Sequence, residues 1–277
     1  MQKKVVLITG CSSGIGKALA VEFLKNNFNV IATARNKDAI LELEEKGCQT
    51  EQLNVTNDTE QSQVIENTIK IFGRIDILIN NAGYGLMAPA INLSEEKIHH
   101  QFQTNVYAPI SLVQKVAPSM KENGSGIIVN IGSVSGLVTT PFSGAYCASK
   151  AALHSFSDAL RLELKSFGID VMTVKAGAIK SNFGNRARKG ASEIFGDDSL
   201  YKSLESYIMK RAYGSQVVAT PAEELAKKIV KIISNGKIPP SYRIGKKSLL
   251  LPLLKNLLPT KLFDAILRKK FGLNSLN

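Results

Sequence analysis

The chain has 277 residues, 44% of them hydrophobic, and a formal net charge of +12. That length and balance fit a soluble globular protein built as one large α/β domain with a sizeable core. Three scattered cysteines, Cys11, Cys48 and Cys147, exclude a disulfide framework and point to a reducing compartment, and His99, His100 and His154 lack metal-ligand spacing, so no metal is expected.

Short β-branched runs predict strands at 4–9, 29–33, 50–53, 75–80, 126–131, 170–175 and 242–244. Helical patterns lie between them at 15–26, 37–46, 59–72, 94–122, 144–167 and 221–234. This alternation predicts a single-domain Rossmann fold, a doubly wound parallel sheet with helices on both faces, over residues 1–245. Two regions break the pattern: a mixed segment at 181–214, expected to form a substrate lid, and a basic, leucine-rich extension at 246–277. The run Val5-Val6-Leu7-Ile8 is too short for a signal-peptide core, and no apolar stretch reaches membrane-spanning length, so a cytoplasmic location is expected.

The first strand runs into Thr9-Gly10-Cys11-Ser12-Ser13-Gly14-Ile15-Gly16 and then directly into an amphipathic helix. Glycines at 10, 14 and 16 permit a tight turn and a close approach of backbone to a pyrophosphate. The helix amino terminus then offers free N–H groups to the anion. The second strand ends in Ala34-Arg35 without the carboxylate that would accept from a ribose 2′-OH. Arg35 can pair with a 2′-phosphate, which favours NADP(H); if Arg35 is only a solvated residue, NAD stays open. Asn80-Asn81-Ala82-Gly83 follows the fourth strand, where small residues let backbone meet cofactor. Asn105 falls mid-helix, a poor place for an amide without a task.

Tyr146 and Lys150 are four apart on one helix and therefore share a face. Carbonyl reduction needs a proton donor, and an adjacent ammonium lowers a phenol's pKa from its ordinary value near ~10. Ser133 closes the fifth strand thirteen positions before Tyr146, at the carboxyl edge of the sheet; Ser135 fits less well by spacing. Its hydroxyl can orient a carbonyl or stabilise oxyanion charge.

Together the TGxxxGIG turn, NNAG, the serine and YxxxK resemble the short-chain dehydrogenase/reductase family over roughly the first 245 positions, closest to its hydroxysteroid and retinol dehydrogenase-like branches. The resemblance implies Tyr146 as general acid/base, Ser133 as carbonyl-positioning group and Lys150 as a ribose ligand that depresses the tyrosine pKa. It implies that Asn105 holds a relay water. It adds cofactor contacts at Ser12, Ser13, Ile15, Asn54, Val55, Tyr146, Gly177, Ile179 and Ser181, and a homodimer or homotetramer. The chain departs from the family pattern at Asn54, where an aspartate is usual, and at Ala176, where a proline is usual.

Apolar residues at 183, 194, 195, 200, 201, 204, 207 and 208, the last five at helical spacing, suggest a lid over a lipophilic carbonyl or alcohol of steroid, retinoid or long-chain acyl type. Pro252 and Pro259 interrupt the tail, after which Leu262, Phe263, Ile266 and Leu267 would share a helix face. The tail's leucines and lysines predict either peripheral contact with an anionic membrane or packing on the protein itself. No nucleic-acid module is present in the pattern. The competing reading is a non-catalytic NADP-binding sensor or scaffold.

Overall fold

Val5 to Ile8, four apolar residues without solvent exposure, form β1 (Val5–Ile8) in the interior of a seven-stranded parallel sheet. The computed structural model describes residues 3–194 and 199–276. After β1 come α1 (Gly14–Lys25), β2 (Asn29–Ala34), α2 (Leu41–Glu45), β3 (Gln49–Gln52), α3 (Asp58–Phe72) and β4 (Ile77–Asn80). The second half contributes α4 (Glu95–Phe102), α5 (Ala108–Glu122), β5 (Gly126–Ser133), α6 (Gly144–Glu163) and β6 (Ile169–Ala176). It continues with α7 (Phe183–Ser192), α8 (Glu205–Tyr213), α9 (Ala222–Ser234), β7 (Ser241–Ile244), α10 (Leu250–Leu257) and α11 (Thr260–Lys270).

The strand order is β3-β2-β1-β4-β5-β6-β7, so the chain reverses direction between β1 and β4. Both faces are apolar because both are covered. On one, Leu19 and Phe23 of α1 and Leu225, Ile229 and Ile233 of α9 pack on Val6, Ile8 and Ile79. On the other, Val64 and Ile65 of α3 and Leu112, Val113 and Val116 of α5 pack on Leu7, Leu78 and Ile128. A buried amide pair pins the central strands: Asn80 Nδ2 donates to Asn130 Oδ1 (2.9 Å), and Asn130 Nδ2 donates to Ser157 Oγ of α6 (2.8 Å).

The doubly wound sheet is as the sequence predicts, but three predicted helices are divided. The span 94–122 breaks at a π-helical turn, Gln103–Tyr107, ahead of Pro109. Proline has no N–H for a carbonyl four residues back and crowds it, so the helix cannot pass through Asn105 in regular form. The span 37–46 opens with a 3-10 turn, Lys37–Ile40, before α2. The span 144–167 ends as α6 at Glu163, with a 3-10 turn, Lys165–Phe167, running into Gly168 at φ 74°.

A third apolar cluster builds the end of the molecule beyond the sheet. Leu204 and Ile208 of the lid stripe, with Tyr201, pack there, whereas Leu200 points to solvent and Tyr207 is half-exposed. Phe195 and Gly196, also in that mixed segment, lie outside the described residues. The tail joins the cluster through Phe263, Leu267 and Phe271. Leu262 and Ile266, expected on the same face as Phe263 and Leu267, face outward instead. Pro252 does not interrupt the run: it occupies the first turn of α10, where no N–H is required. Pro259 does separate α10 from α11. Among the described residues no helix is long and apolar enough to cross a membrane.

Candidate active site

At the carboxyl ends of the strands lies an open cavity of about 1340 Å³. It is lined by Gly10, Ser12, Ser13, Ile15, Arg35, Asn54, Val55, Asn81, Ala82, Gly83, Ser133, Tyr146, Lys150, Gly177, Ile179 and Ser181. The remaining sequence-predicted residues, Gly14, Gly16 and Asn105, stand behind that surface. They act there by shape and by hydrogen bonding.

The glycine turn is built for close approach. Gly10 (φ 74°) and Gly14 (φ 57°) adopt left-handed backbone that side chains disfavour. Gly16 is needed for another reason, since a Cβ there would sit 2.4 Å from the Gly10 carbonyl oxygen and 2.5 Å from Asn81 Nδ2. Asn81 locks the turn to β4 by donating Nδ2 to Thr9 O (2.8 Å) and Gly10 O (3.0 Å). Thr9 Oγ1 in turn accepts from the backbone N–H groups of Asn81 and Ala82 (both 3.0 Å). Ser13 begins α1 with extended backbone and makes no side-chain cap bond, leaving its hydroxyl and the first N–H groups of α1 toward the cavity. Cys11 beneath the turn is structural: burial pushes its thiol up to about 12.

At the second strand, Ala34 is buried and Arg35 exposed on the cavity rim, with no acid beside it at the strand end. Asn54 turns its amide oxygen toward its own loop. Oδ1 accepts from Thr56 N (3.3 Å) and Thr56 Oγ1 (3.0 Å), which closes an Asx turn. On the far side, Ser181 Oγ accepts from Phe183 N (3.3 Å), and its own N–H donates to Gln216 Oε1 (2.8 Å). Gln216 Nε2 also donates to Ile179 O (3.1 Å), so this one side chain shapes the loop after β6.

Tyr146 and Lys150 both open onto the cavity from α6, as the spacing suggests. The Tyr146 phenol shares the cavity wall with the Ser133 hydroxyl, and burial pushes it up to about 12 against the lowering effects of Ser133 and of Arg211. The Lys150 Nζ donates to Ile131 O (2.8 Å), and burial brings the ammonium down to about 8. Gly83 faces this pair of elements: a Cβ there would stand 3.0 Å from Asn105 Oδ1 and 3.7 Å from Lys150 Nζ. Asn105, in the π turn, donates Nδ2 to Tyr84 O (3.0 Å) and Ser149 Oγ (3.1 Å) and accepts from Tyr84 N (3.2 Å). It ties the NNAG loop to α6.

Sequence reasoning missed three further residues. Arg186 of α7 reaches across to Ser12 Oγ (3.5 Å), and Arg211 of α8 lines the cavity near Tyr146; neither carries a local sequence signal. His154, one turn after Lys150, reads from sequence as packed or solvated and is in fact packed behind Ser133, whose N–H donates to His154 Nε2 (3.3 Å). Its ring fills the space left by Gly132 and Gly136, where a Cβ would lie 2.4 Å from Nε2 and 2.5 Å from Cε1. Burial, with help from Lys150, holds this imidazole down to about 4.

The unfolded chain therefore binds a proton at His154 near ~6.5 that the folded chain refuses. The stability His154 contributes is complete above that value and declines as pH falls toward 4, by up to about 3 kcal/mol. Urea unfolding at pH 7.5 and pH 5 is expected to show a smaller acid-induced loss for His154→Leu than for the natural chain. Equal losses would remove His154 as a source of acid sensitivity.

A glycine cradle at a helix amino terminus, set beside a buried tyrosine and lysine at the reversal point of a parallel sheet, defines a nicotinamide-dinucleotide oxidoreductase architecture. The chain belongs to the short-chain dehydrogenase family, whose defining profile matches residues 4–192. It is 34% identical to a Helicobacter pylori (strain J99) protein named "Probable short-chain type dehydrogenase/reductase VdlC", over 95% of this chain and 96% of that one. A protein of Ornithobacterium rhinotracheale named NADPH-dependent 3-dehydrocapnine reductase is 29% identical over 96% of both chains. Among solved structures, a short-chain dehydrogenase from Streptomyces avermitilis superposes with a TM-score of 0.79 at 26% identity, covering 99% of this chain and 97% of that one.

Proposed function

We propose that the protein interconverts a carbonyl and an alcohol with NADP(H), acting on a lipophilic substrate of steroid, retinoid or long-chain acyl type. The observation that carries this reading is that buried Tyr146, Ser133 and Lys150 line one cavity onto which the glycine turn also opens. A reduced nicotinamide, when bound, would supply the hydride that carbonyl reduction needs. The chain's own residues do the rest. Ser133 orients the carbonyl oxygen, and Tyr146 gives that oxygen a proton as negative charge develops on it. Lys150, fixed by Ile131 O, holds the ribose, and Asn105 positions the loop beneath it. The cradle fits the dinucleotide because its glycines let the turn pack tightly on Ala82, Ser181 and Asn81, where any Cβ would clash, while Gly10, Ser12, Ser13 and Ile15 stay open to the cavity.

The NADP(H) preference rests on Arg35 at the cavity rim and on the missing acid at Ala34. A relative whose name specifies NADPH is consistent with it. Apolar Met87, Val138, Phe183, Leu251 and Phe271 line the cavity and suit a lipophilic substrate. The test is NADPH oxidation with retinal, steroid ketones and long-chain 3-oxoacyl thioesters, beside NADH and a Tyr146→Phe control. Tight NADPH binding without turnover of any class would favour a sensor or scaffold instead.

For the outward-facing part of the tail we propose peripheral contact with an anionic membrane, the alternative being packing on the protein alone. Leu249, Leu250, Leu253 and Leu257 are exposed on and beside α10, and Leu262 and Ile266 on α11, next to Lys261, Arg268 and Lys269. Because Phe263, Leu267 and Phe271 support the cavity end, the test uses point changes and not a truncation. Leu253→Glu with Leu257→Glu is expected to cut co-sedimentation with phosphatidylserine-containing vesicles at least fivefold. Unchanged sedimentation would remove the membrane from the proposal.

A further inference from the structure

Helix α8 brings Arg211 to the wall of the cavity beside the start of α6. Its Nε donates to Thr140 Oγ1 (2.9 Å) and one terminal nitrogen donates to Ser143 Oγ (3.2 Å). Both partners are neutral. Among the described residues, no carboxylate lies within ion-pairing distance of this guanidinium. An arginine has five N–H donors, and two hydroxyls use only part of that fork. Two neutral hydroxyls alone are a poor reason to carry a permanent cation into a confined place, because its desolvation is costly without a counter-charge.

The surrounding cavity has the same sign. Lys210 of α8 and Lys247 and Lys270 of the tail also line it, and among the described lining residues Glu193 is the single carboxylate. Lys210 and Lys270 are each stacked near an aromatic ring, Tyr207 and Phe271, and are not neutralised by an acid there. These cations stand beside apolar lining residues, and Arg211, held by Thr140 and Ser143 just before Tyr146 in the chain, lines the same cavity as the phenol.

We propose that the substrate carries a carboxylate, which pairs with Arg211 while its carbonyl meets Tyr146 and Ser133 and its apolar part lies against Met87, Val138, Leu251 and Phe271. The inference rests on the carbonyl–alcohol reading above and narrows its substrate to an anionic amphiphile. A planar guanidinium with free N–H groups suits a carboxylate by paired hydrogen bonds. Arg211 is thus a specificity-determining residue.

Binding tests this without turnover. Full-length protein saturated with NADP+ is titrated calorimetrically with decanoate and with methyl decanoate. The acid is expected to bind at least tenfold tighter than the ester. Arg211→Met should reduce that ratio below threefold, Arg211→Lys should restore part of it, and NADPH affinity should stay the same in both. Equal affinity of acid and ester in the natural chain, no binding of either, or a ratio that survives Arg211→Met would overturn the proposal. Should Arg211→Met fold poorly, the acid-to-ester ratio of the natural chain and the Arg211→Lys variant still decide it. Failure to reduce any carbonyl would remove the proposed activity while leaving this binding comparison readable.

Discussion

Replacing Tyr146 with phenylalanine is expected to lower kcat for carbonyl reduction by roughly a hundred- to ten-thousand-fold, the usual contribution of a positioned general acid. The variant keeps the ring, which packs against Phe183 with centroids 5.3 Å apart and belongs to the third apolar cluster. It loses only the hydroxyl, which shares the cavity wall with Ser133, and Ser133 Oγ retains the Ser135 N–H at 3.1 Å. Stability should therefore change by about 1 kcal/mol or less, the net value of one hydrogen bond. NADPH affinity should hold, since none of the cradle contacts involves the phenol. The measurements are steady-state NADPH oxidation, a thermal melt and an NADPH titration on the same preparation. A phenol pushed up to about 12 stays protonated at neutral pH, the donor form that reduction requires. Alcohol oxidation needs the phenolate and should accelerate as pH rises. A phenylalanine variant within tenfold of natural kcat would take the proton donor away from Tyr146.

Gly16→Ala is expected to raise the Kd for NADPH at least a hundredfold. The added methyl would meet the Gly10 carbonyl at 2.4 Å, a distance that backbone can relieve only by moving the turn. The Asn81 amide that fixes the turn is equally close, at 2.5 Å, so the strain reaches the Thr9–Asn81 hydrogen bonds as well. Anion binding at a helix amino terminus depends on N–H groups pointing at one place, and a shifted turn scatters them. Gly190→Ala in α7 serves as the comparison. Its Cβ would meet nothing within 4 Å, and alanine suits a helix better, so NADPH affinity should be unchanged and stability equal or slightly higher. Equal NADPH affinity for the two variants would mean that the turn tolerates displacement and does not set cofactor affinity.

The sheet was readable because parallel strands buried on both faces leave continuous apolar runs, such as Val5 to Ile8, separated by helical periods. The cofactor turn was readable for a related reason: glycine positions with forced backbone or forced proximity are local and leave a fixed spacing. Long-range contacts were not. Nothing around Arg211 announces that Thr140 and Ser143 will meet it, about seventy residues earlier in the chain. The Tyr146–Lys150 spacing correctly put both side chains on the cavity, but spacing says nothing of Ile131 O, the acceptor that holds the ammonium. The π turn at Asn105 was hidden only in part, because Pro109 stood in plain view as its cause. The leucine-rich tail misled by composition. One helix face divides between the cluster and solvent, and hydrophobicity alone does not say which residue goes where.

The ring of Phe142, on backbone at φ 62°, meets Phe271 with centroids 6.3 Å apart. During translation Phe263, Leu267 and Phe271 leave the ribosome more than a hundred residues after Phe142 and Tyr146. The nascent chain can thus pair its central strands and close the glycine turn while the wall around Tyr146 is still unfinished. A nucleotide-binding half would form first, and the substrate end would acquire its shape only as the tail docks.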